Sequence, residues 1–460
     1  MLDDFSRVMD IIFTNEPDYT PDYNSLLLLD LIRSYMYEEG IWTLRQESND
    51  FLKIPQEYSP QNAQLPAIPN NRPLRILVIS GLFPAIEHGG GLRLFDILQG
   101  LSAEHEIDLY SVYEESSDQY SLNLLKDKLG TTRLIASEQI IDHSFIKGDI
   151  TSWLAETGHD DNYYDIIQLE YPHTIFLTNF MKQYGGKVGF TFMECLTKSN
   201  VIKIQDMQIN NCLKEMPRFS SELWKFAVEE KFVLENADFL IAVTPEDADF
   251  LTRLYPRRPQ IIPTCISQHE IIDRIEKSKI TPQKGLVAFL GFFGHYPNID
   301  SMKWYLDKIH PIVKENVPQY KFLVIGAGDT STLQEMVKND ESVEFTGRVD
   351  DVIPHIQRAS VCTLPLITGA GIRGKLNQYS ICGRPSVSTS IGNKGLSYKH
   401  KESVMIADTA ADFATAITTL LTDEESNRGI AEQAKAHAEA NFTWGKHLED
   451  LVNIYRNTTV

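Results

Sequence analysis

The segment RILVISGLFPAIEHGGGLRLFDILQGL, Arg75–Leu101, opens with a β-branched apolar run from Arg75 to Gly81. It passes through Gly89, Gly90 and Gly91 into helically spaced Leu92, Phe95, Leu98 and Leu101. A strand, a glycine turn and a helix in that order open a βαβ unit. Further short apolar runs follow at Ile107 to Val112, Asp165 to Leu169, Lys187 to Met193 and Phe239 to Val243, separated by helix-compatible stretches. That alternation is what a parallel sheet covered on both faces requires.

The alternation begins again beyond the charged stretch Gln268 to Lys284. Strands are expected at Leu286 to Leu290, Lys321 to Ile325, Val343 to Phe345, Val361 to Leu364, Pro385 to Ser388 and Val404 to Ile406. A helix is expected from Ile299 to about Glu315, another over Leu376 to Cys382, and the C-terminal stretch Ile430 to Tyr455 also has helical spacing. The fold class is therefore α/β, with two doubly wound, Rossmann-like parallel-sheet domains facing a cleft. Open α/β sheets take ligands beyond the carboxyl ends of their strands. Ahead of them, residues 1 to 53 have a helical pattern, and Pro55, Pro60, Pro66, Pro69 and Pro73 mark an extended linker. The expected divisions are residues 1–72 for a small helical extension and linker, 73–267 for a first Rossmann-like domain and 268–440 for a second. Residues 441–460 form a C-terminal helix, a candidate for packing back on the first domain.

A net charge of -20 in 460 residues opposes general binding to nucleic acid or to anionic lipid. No apolar run reaches the roughly 18 residues of a membrane span. The acidic start at Asp3 and Asp4 lacks the layout of a secretion signal, so cytoplasmic residence is the expectation, with peripheral contact at the inner face of a membrane left open. The five cysteines, Cys195, Cys212, Cys265, Cys362 and Cys382, contain no Cys-x-x-Cys pair and read as small core residues.

Charge is segregated within the chain. Acids make up 63 of 460 residues, yet the 49 residues from Ile353 to Lys401 contain none, while seven bases persist: Arg358, Arg373, Lys375, Arg384, Lys394, Lys399 and Lys401. Inside this window PLITGAGIRGK, Pro365 to Lys375, joins a strand end to a helix start. Gly369, Gly371 and Gly374 permit close backbone approach, helix-start amides point outward, and Arg373 and Lys375 add two cations. These are the elements of a diphosphate cradle. Gly89, Gly90 and Gly91, with Arg93 beside them, form a second candidate for close contact with substrate. Gly81 stands too far from Gly89 for a G-x-G-x-x-G fingerprint, which disfavours NAD and FAD. Asp247 and Asp249 have D-x-D spacing but sit where acids suit the first turn of a helix, so no metal site is expected there. His173 and Glu194, each following a strand, are candidates for catalytic contact or for structural roles.

Taken together, these motifs resemble the group 1 (family 4) glycosyltransferases of the GT-B fold over roughly Arg75 to Tyr455. The stretches that carry the likeness are Ile76 to Leu98, ENADFLIAVTPED (Glu235 to Asp247), GHYPNIDSMKWYLDKIHPIV (Gly294 to Val313), FTGRVDDV (Phe345 to Val352) and PLITGAGIRGK with CGRPSVSTSIG (Pro365 to Gly392). The resemblance implies transfer of a sugar from a nucleotide-diphosphate-sugar co-substrate of unspecified base, usually with retention, without a D-x-D metal and without a permanently bound cofactor. It implies donor contacts from Gly369, Ala370, Gly371, Ile372, Arg373, Lys375 and Gln378, and from Gly347, Arg348 and Val349 near the base. Acceptor contacts would come from Gly89 to Gly91, and His295 and Asn298 are further cleft candidates. The implied acceptor is a carbohydrate, a lipid-linked sugar, a protein or a small molecule.

The departures are specific. Family glutamates are replaced by Ala370 and Gln378, and Lys394 stands where such enzymes often carry Glu. Gln378 can still hydrogen-bond a hydroxyl, but as a neutral acceptor it is weaker than a carboxylate. An inactive GT-B scaffold, with the N-terminal extension docking a protein partner, and a GT-B epimerase or hydrolase are the competing expectations.

Overall fold

The computed structural model describes residues 68–69, 72–86, 89–113, 119–159, 162–201, 216–267, 271–278, 280–368 and 374–457. The expected helical extension, and with it Cys212 and the loop from Gly369 to Arg373, lies outside the described residues. The chain divides into two compact units, Met1–Ile262 with Leu448–Val460, and Pro263–His447.

The first unit is built on seven parallel strands: β1 (Arg75–Ser80), β2 (Glu106–Tyr113), β3 (Thr132–Ala136), β4 (Ile166–Glu170), β5 (Lys187–Phe192), β6 (Phe239–Ala242) and β7 (Gln260–Ile261). Their order in the sheet is β3-β2-β1-β4-β5-β6-β7. Ile76, Leu77, Ile79, Ile166, Ile167 and Leu169 have no exposed surface, because helices cover both faces. Flanking helices include α1 (Gly89–Leu101), α2 (His143–Thr157), α3 (Met216–Asn236) and α4 (Pro245–Leu254). The three glycines that read as a loop form the first turn of α1. β3 escapes a search for apolar runs because it is an edge strand with one buried residue, and β7 because it spans two residues.

The second unit carries β8 (Leu286–Leu290), β9 (Lys321–Ile325), β10 (Val343–Phe345), β11 (Val361–Leu364), β12 (Ser386–Ser388) and β13 (Met405–Ile406), in the order β10-β9-β8-β11-β12-β13. All its pairings are parallel. Helices α5 (Tyr296–Trp304), α6 (Gly374–Ile381), α7 (Ala410–Thr422) and α8 (Glu424–Asn441) pack around it. The single helix expected over Ile299 to Glu315 is interrupted at Tyr305–Ile309 by a wider π turn before helix resumes at His310. Pro311 supplies the reason: it has no N–H for the carbonyl of Asp307, and its ring crowds that carbonyl.

The C-terminal helical stretch is two helices, α8 and α9 (Trp444–Arg456). They break where the Ile266 N–H donates to the Phe442 carbonyl and Ile266 pairs with Thr443. That contact, with Ile266 in the second core, places residues 263–267 in the second unit rather than the first. From Leu448 the chain belongs to the first unit. There Tyr455 packs edge-on to Phe239, with ring centroids 5.3 Å apart. The buried Lys187 ammonium donates to the carbonyls of Tyr455 and Arg456, a cation at a helix C-terminus.

β5 runs beside β6 with Gly189 opposite Phe239, and a Cβ on Gly189 would stand 2.0 Å from the Phe239 ring. Tyr455 backs that ring, so it cannot yield. Gly189→Ala is expected to destabilise the protein by about 1–3 kcal/mol, the usual range for overpacking. Adding Phe239→Leu is expected to restore part of that loss in urea unfolding; strict additivity of the two changes would contradict the contact.

Candidate functional site

Both sheets wind outward from a central strand in one direction and then in the other. The reversal lies between β1 and β4 in the first unit and between β8 and β11 in the second. Loops leaving the two strands at a reversal part in opposite directions, so a crevice opens at their carboxyl ends.

In the second unit the crevice is lined by backbone. Gly326 follows β9 with φ +134°, and a Cβ there would lie 1.8 Å from the Gly291 carbonyl oxygen, so no side chain is tolerated. Its N–H donates to the carbonyl of Gly347, which has φ +64° in the turn after β10. Gly347 and Arg348 are exposed at this edge, whereas Val349 turns in to pack on the core. Phe292 follows β8 and is 61% exposed; His295, also exposed, begins the turn into α5.

α6 brings the basic motif to the same place. Leu376, Asn377, Tyr379, Ser380 and Ile381 are buried, and Tyr379 locks the helix to β8 by accepting the Leu290 N–H at 2.8 Å. Lys375 and Gln378, three residues apart, are the half-buried pair left on the other side. The Lys375 ammonium donates to Asn298 Oδ1 and lies 5.3 Å from the centroid of the Phe289 ring. Asn298, from α5, is buried and donates through Nδ2 to the Phe292 carbonyl at 2.7 Å. Thus the structure joins Lys375, Asn298 and the glycine-lined strand ends, while Gly369, Ala370, Gly371, Ile372 and Arg373 lie outside the described residues.

The acid-free window is less uniform than its composition implies. Arg384 turns inward, its guanidinium donating to the carbonyls of Cys382 and Ala359, and burial lowers its pKa. Lys399 approaches Glu402 at 3.4 Å. Lys394 is exposed. Buried backbone carbonyls thus account for part of the cation excess, because they need donors as much as a ligand does.

In the first unit Arg93 departs from its expected place at the glycine turn. Its guanidinium is 1% exposed, donates to the Ile262 carbonyl at 3.2 Å and stands 3.9 Å from Glu170, so its charge is spent inside the domain. Glu170, also buried, accepts from Thr191 at 2.8 Å, and its pKa is raised by desolvation. Tyr171, next in sequence, has φ +73° and ψ 151°, a conformation open almost exclusively to glycine. A Cβ on Gly90 would meet the Tyr171 hydroxyl at 2.6 Å, which explains a glycine in the first turn of α1. His173 is exposed, with Gly81 closely beneath its Cβ. Glu194 accepts from Ser199 Oγ at 3.0 Å.

The two carboxylates of the D-x-D pair separate. Asp247, buried in the first turn of α4, takes the Lys198 ammonium at 2.7 Å, while exposed Asp249 pairs with Arg258 at 2.8 Å. Among the described residues, no three His, Cys, Asp or Glu side chains gather as a metal site would need. The four described cysteines are free and buried. No helix among the described residues is long and apolar enough to cross a membrane.

Glu230 is the acid that sequence reading missed. It is buried on α3 and accepts from the N–H groups of Leu196 (2.6 Å) and Thr197 (3.2 Å) and from Cys195 Sγ (3.4 Å), so it holds the turn after β5. A signal existed: Leu223, Ala227, Glu230 and Leu234 recur at intervals of four, three and four, which puts the acid on the apolar face.

Comparison with known proteins agrees with this geometry. Residues 286–423 match the family described as glycosyl transferases group 1. An uncharacterized 44.6 kDa protein in the cps region of Klebsiella pneumoniae is 22% identical over 397 residues, 80% of this chain and 96% of that protein. The D-inositol 3-phosphate glycosyltransferase of Rhodococcus jostii is 20% identical over 424 residues, 85% and 91% of the two chains. Among solved structures, sucrose-phosphate synthase from Thermosynechococcus elongatus is similar with a TM-score of 0.62 and 17% identity, covering 83% of this chain and 98% of that one. Anabaena HepE, in complex with UDP and glucose, is similar with a TM-score of 0.58 and 13% identity over the same shares. The fold is GT-B. Over residues 286–423 the chain is similar to the glycosyl transferases group 1, and over most of its length it shares the fold of the solved structures above.

Burial pushes the Glu230 carboxyl from 4.5 up to about 7. Between those values the unfolded chain is ionised while the folded one keeps its proton, so raising the pH through this window removes stability. Relative to Glu230→Gln, the wild-type protein is expected to lose on the order of 3 kcal/mol between about pH 4 and pH 8. Parallel pH–stability curves in urea unfolding would contradict the assignment.

Proposed function

We propose that the chain transfers a sugar from a nucleotide-diphosphate donor, held on the second unit, to an acceptor hydroxyl, with retention and without a metal held by a D-x-D pair. The supporting observation is Lys375: a half-buried cation in the first turn of α6, set against the end of β8 at the strand-order reversal. Glycosyl transfer breaks the bond between the anomeric carbon and the diphosphate oxygen, leaving negative charge on the diphosphate. A fixed ammonium and helix-start amides stabilise that charge as it develops. Arg373, two residues earlier in sequence, is proposed as the second cation. Gln378, on the same side of α6 as Lys375, is proposed to hydrogen-bond a ribose hydroxyl, and Gly347 to Val349 to border the base.

Uridine is the first base to test, since HepE binds UDP and glucose. The Klebsiella relative in a cps region supports a polysaccharide or glycoconjugate product. The acceptor is proposed to meet the start of α1 at Gly89 to Gly91, with His173 and Glu194 as further candidates in the first unit. Arg93 is withdrawn from that set because its guanidinium is buried on Glu170 and Ile262.

A thermal-shift panel of UDP, GDP, ADP, dTDP and their sugars tests the donor site. At about 100 Kd, linkage gives roughly 2.7 kcal/mol of stabilisation. One base family is expected to stabilise the wild-type protein but not a folded Arg373→Ala/Lys375→Ala variant, and Lys375→Ala alone is expected to lower turnover by about 10²–10³. An absence of shift across the panel, or binding without turnover of any nucleotide sugar in the presence of acceptor extracts, would overturn the reading.

A further inference from the structure

Resting on the donor reading above, we propose that the transferred sugar carries a carboxylate, as a hexuronic acid does, and that Lys394 is the residue that recognises it. Lys394 lies in the loop that leaves β12, the strand next to β11 in the sheet. The chain on either side of it is fixed to the proposed donor site. Before it, Thr389 caps the helical turn Ser390–Asn393 and donates through Oγ1 to the Leu366 carbonyl beyond β11. Gly392 in that turn packs so closely on β11 that a Cβ would stand 3.0 Å from the Leu364 carbonyl oxygen. After it, the Tyr398 hydroxyl donates at 2.9 Å to Asn377 Oδ1, in the first turn of α6 and two residues from Lys375. The segment that carries Lys394 is thereby held between the end of β11 and the start of α6.

The loop is also closed on itself. Asn393 Nδ2 donates to the Tyr398 carbonyl at 2.8 Å, and its Oδ1 accepts the Tyr398 N–H at 3.2 Å. Gly395 turns the chain at φ +77°, Leu396 is wholly buried, and Lys394 is exposed. Among the described residues no carboxylate stands within ion-pair distance of it. Asp408, just past β13, is engaged elsewhere, accepting the Ser390 N–H at 2.7 Å and the Ser390 hydroxyl at 2.6 Å. Strand order then says what this cation meets. With the base bordered by Gly347 after β10 and the diphosphate at Lys375 after β11, the sugar bonded to the distal phosphate reaches the next strand end, that of β12, about 5 Å further along the sheet. A neutral sugar offers hydroxyls there, which an amide or a hydroxyl side chain would serve, whereas a carboxylate makes a charge-assisted bond to an ammonium. Protein acids would repel that carboxylate, and the 49 residues from Ile353 to Lys401 contain none. Buried carbonyls account for Arg384 in this window, but not for an exposed lysine.

Calorimetry on the full chain tests this with donor pairs that differ only at C6: UDP-glucose and UDP-glucuronate, UDP-galactose and UDP-galacturonate, and GDP-mannose and GDP-mannuronate, with UDP, GDP, ADP and dTDP as references. In at least one pair the wild-type protein is expected to bind the uronate about tenfold or more tightly than the neutral sugar. Lys394→Met is expected to bring that pair within about twofold of each other and to change the affinity for the bare diphosphate by no more than about twofold. Lys394→Arg should keep the preference and Lys394→Glu should invert it; the side chain is exposed, so these variants are expected to fold. A neutral sugar bound as tightly as its uronate in every pair, a preference that survives Lys394→Met, or equal losses for uronate and bare diphosphate would overturn the proposal and leave the donor reading intact. Binding of a bare diphosphate with none of the sugars would do the same. No binding of any of these probes would overturn both together.

Discussion

The strand-order reversal in each sheet is the constraint on which the rest depends. Parallel strands covered by helices on both faces cannot be joined by hairpins, so every connection crosses the sheet in the same hand, and reversing direction is the way both faces become covered. The reversal has a chemical by-product. At the carboxyl ends of β8 and β11 no connection runs across the gap, and backbone at Gly291 and Gly326 comes so close that side chains are excluded. The fold thus makes a place where main-chain groups and two helix starts face the same space, before any functional residue is chosen.

What distinguishes a binding cation from a structural one is its partner. Arg93 is buried on Glu170, Lys198 is held by Asp247, and Arg384 donates to backbone carbonyls inside the second unit. Each is part of the framework. Lys375 donates to the neutral amide of Asn298 and lies beside the face of the Phe289 ring. The excess of bases between Ile353 and Lys401 is real, but its meaning resides in these individual partners rather than in the sum.

The same distinction explains what could be read from the sequence. Buried parallel strands such as Ile76 to Ile79 and Leu286 to Phe289 are legible because burial on both faces leaves an unbroken apolar run, and α6 is legible as a helical stretch following the strand β11. β3 was not, since an edge strand with one buried residue has no such run. Nor was the fate of Arg93: a cation beside three glycines looks the same in sequence whether it faces a ligand or an internal carboxylate, and its partner Glu170 is 77 residues away. Glu230 had a helical period that placed it inward, but its partners are the amides of Leu196 and Thr197, which no side-chain pattern announces.

The two units solve the same geometric problem with different chemistry. In each, a residue from the strand across the reversal reaches the helix that follows the central strand: the Tyr171 hydroxyl, after β4, reaches Gly90 of α1, and the Lys375 ammonium, after β11, reaches Asn298 of α5. In the first unit the nearby cation is neutralised from within and the group presented at the helix start is a phenol. In the second the group at the helix start is the Lys375 ammonium, which donates to the Asn298 amide. A diphosphate needs the second arrangement, because its stabilisation depends on fixed positive charge in a partly desolvated place. A sugar hydroxyl needs only neutral donors and acceptors, and a phenol beside a glycine turn is of that kind. The difference in charge between the two positions is the basis on which we propose the donor for the second unit and the acceptor for the first.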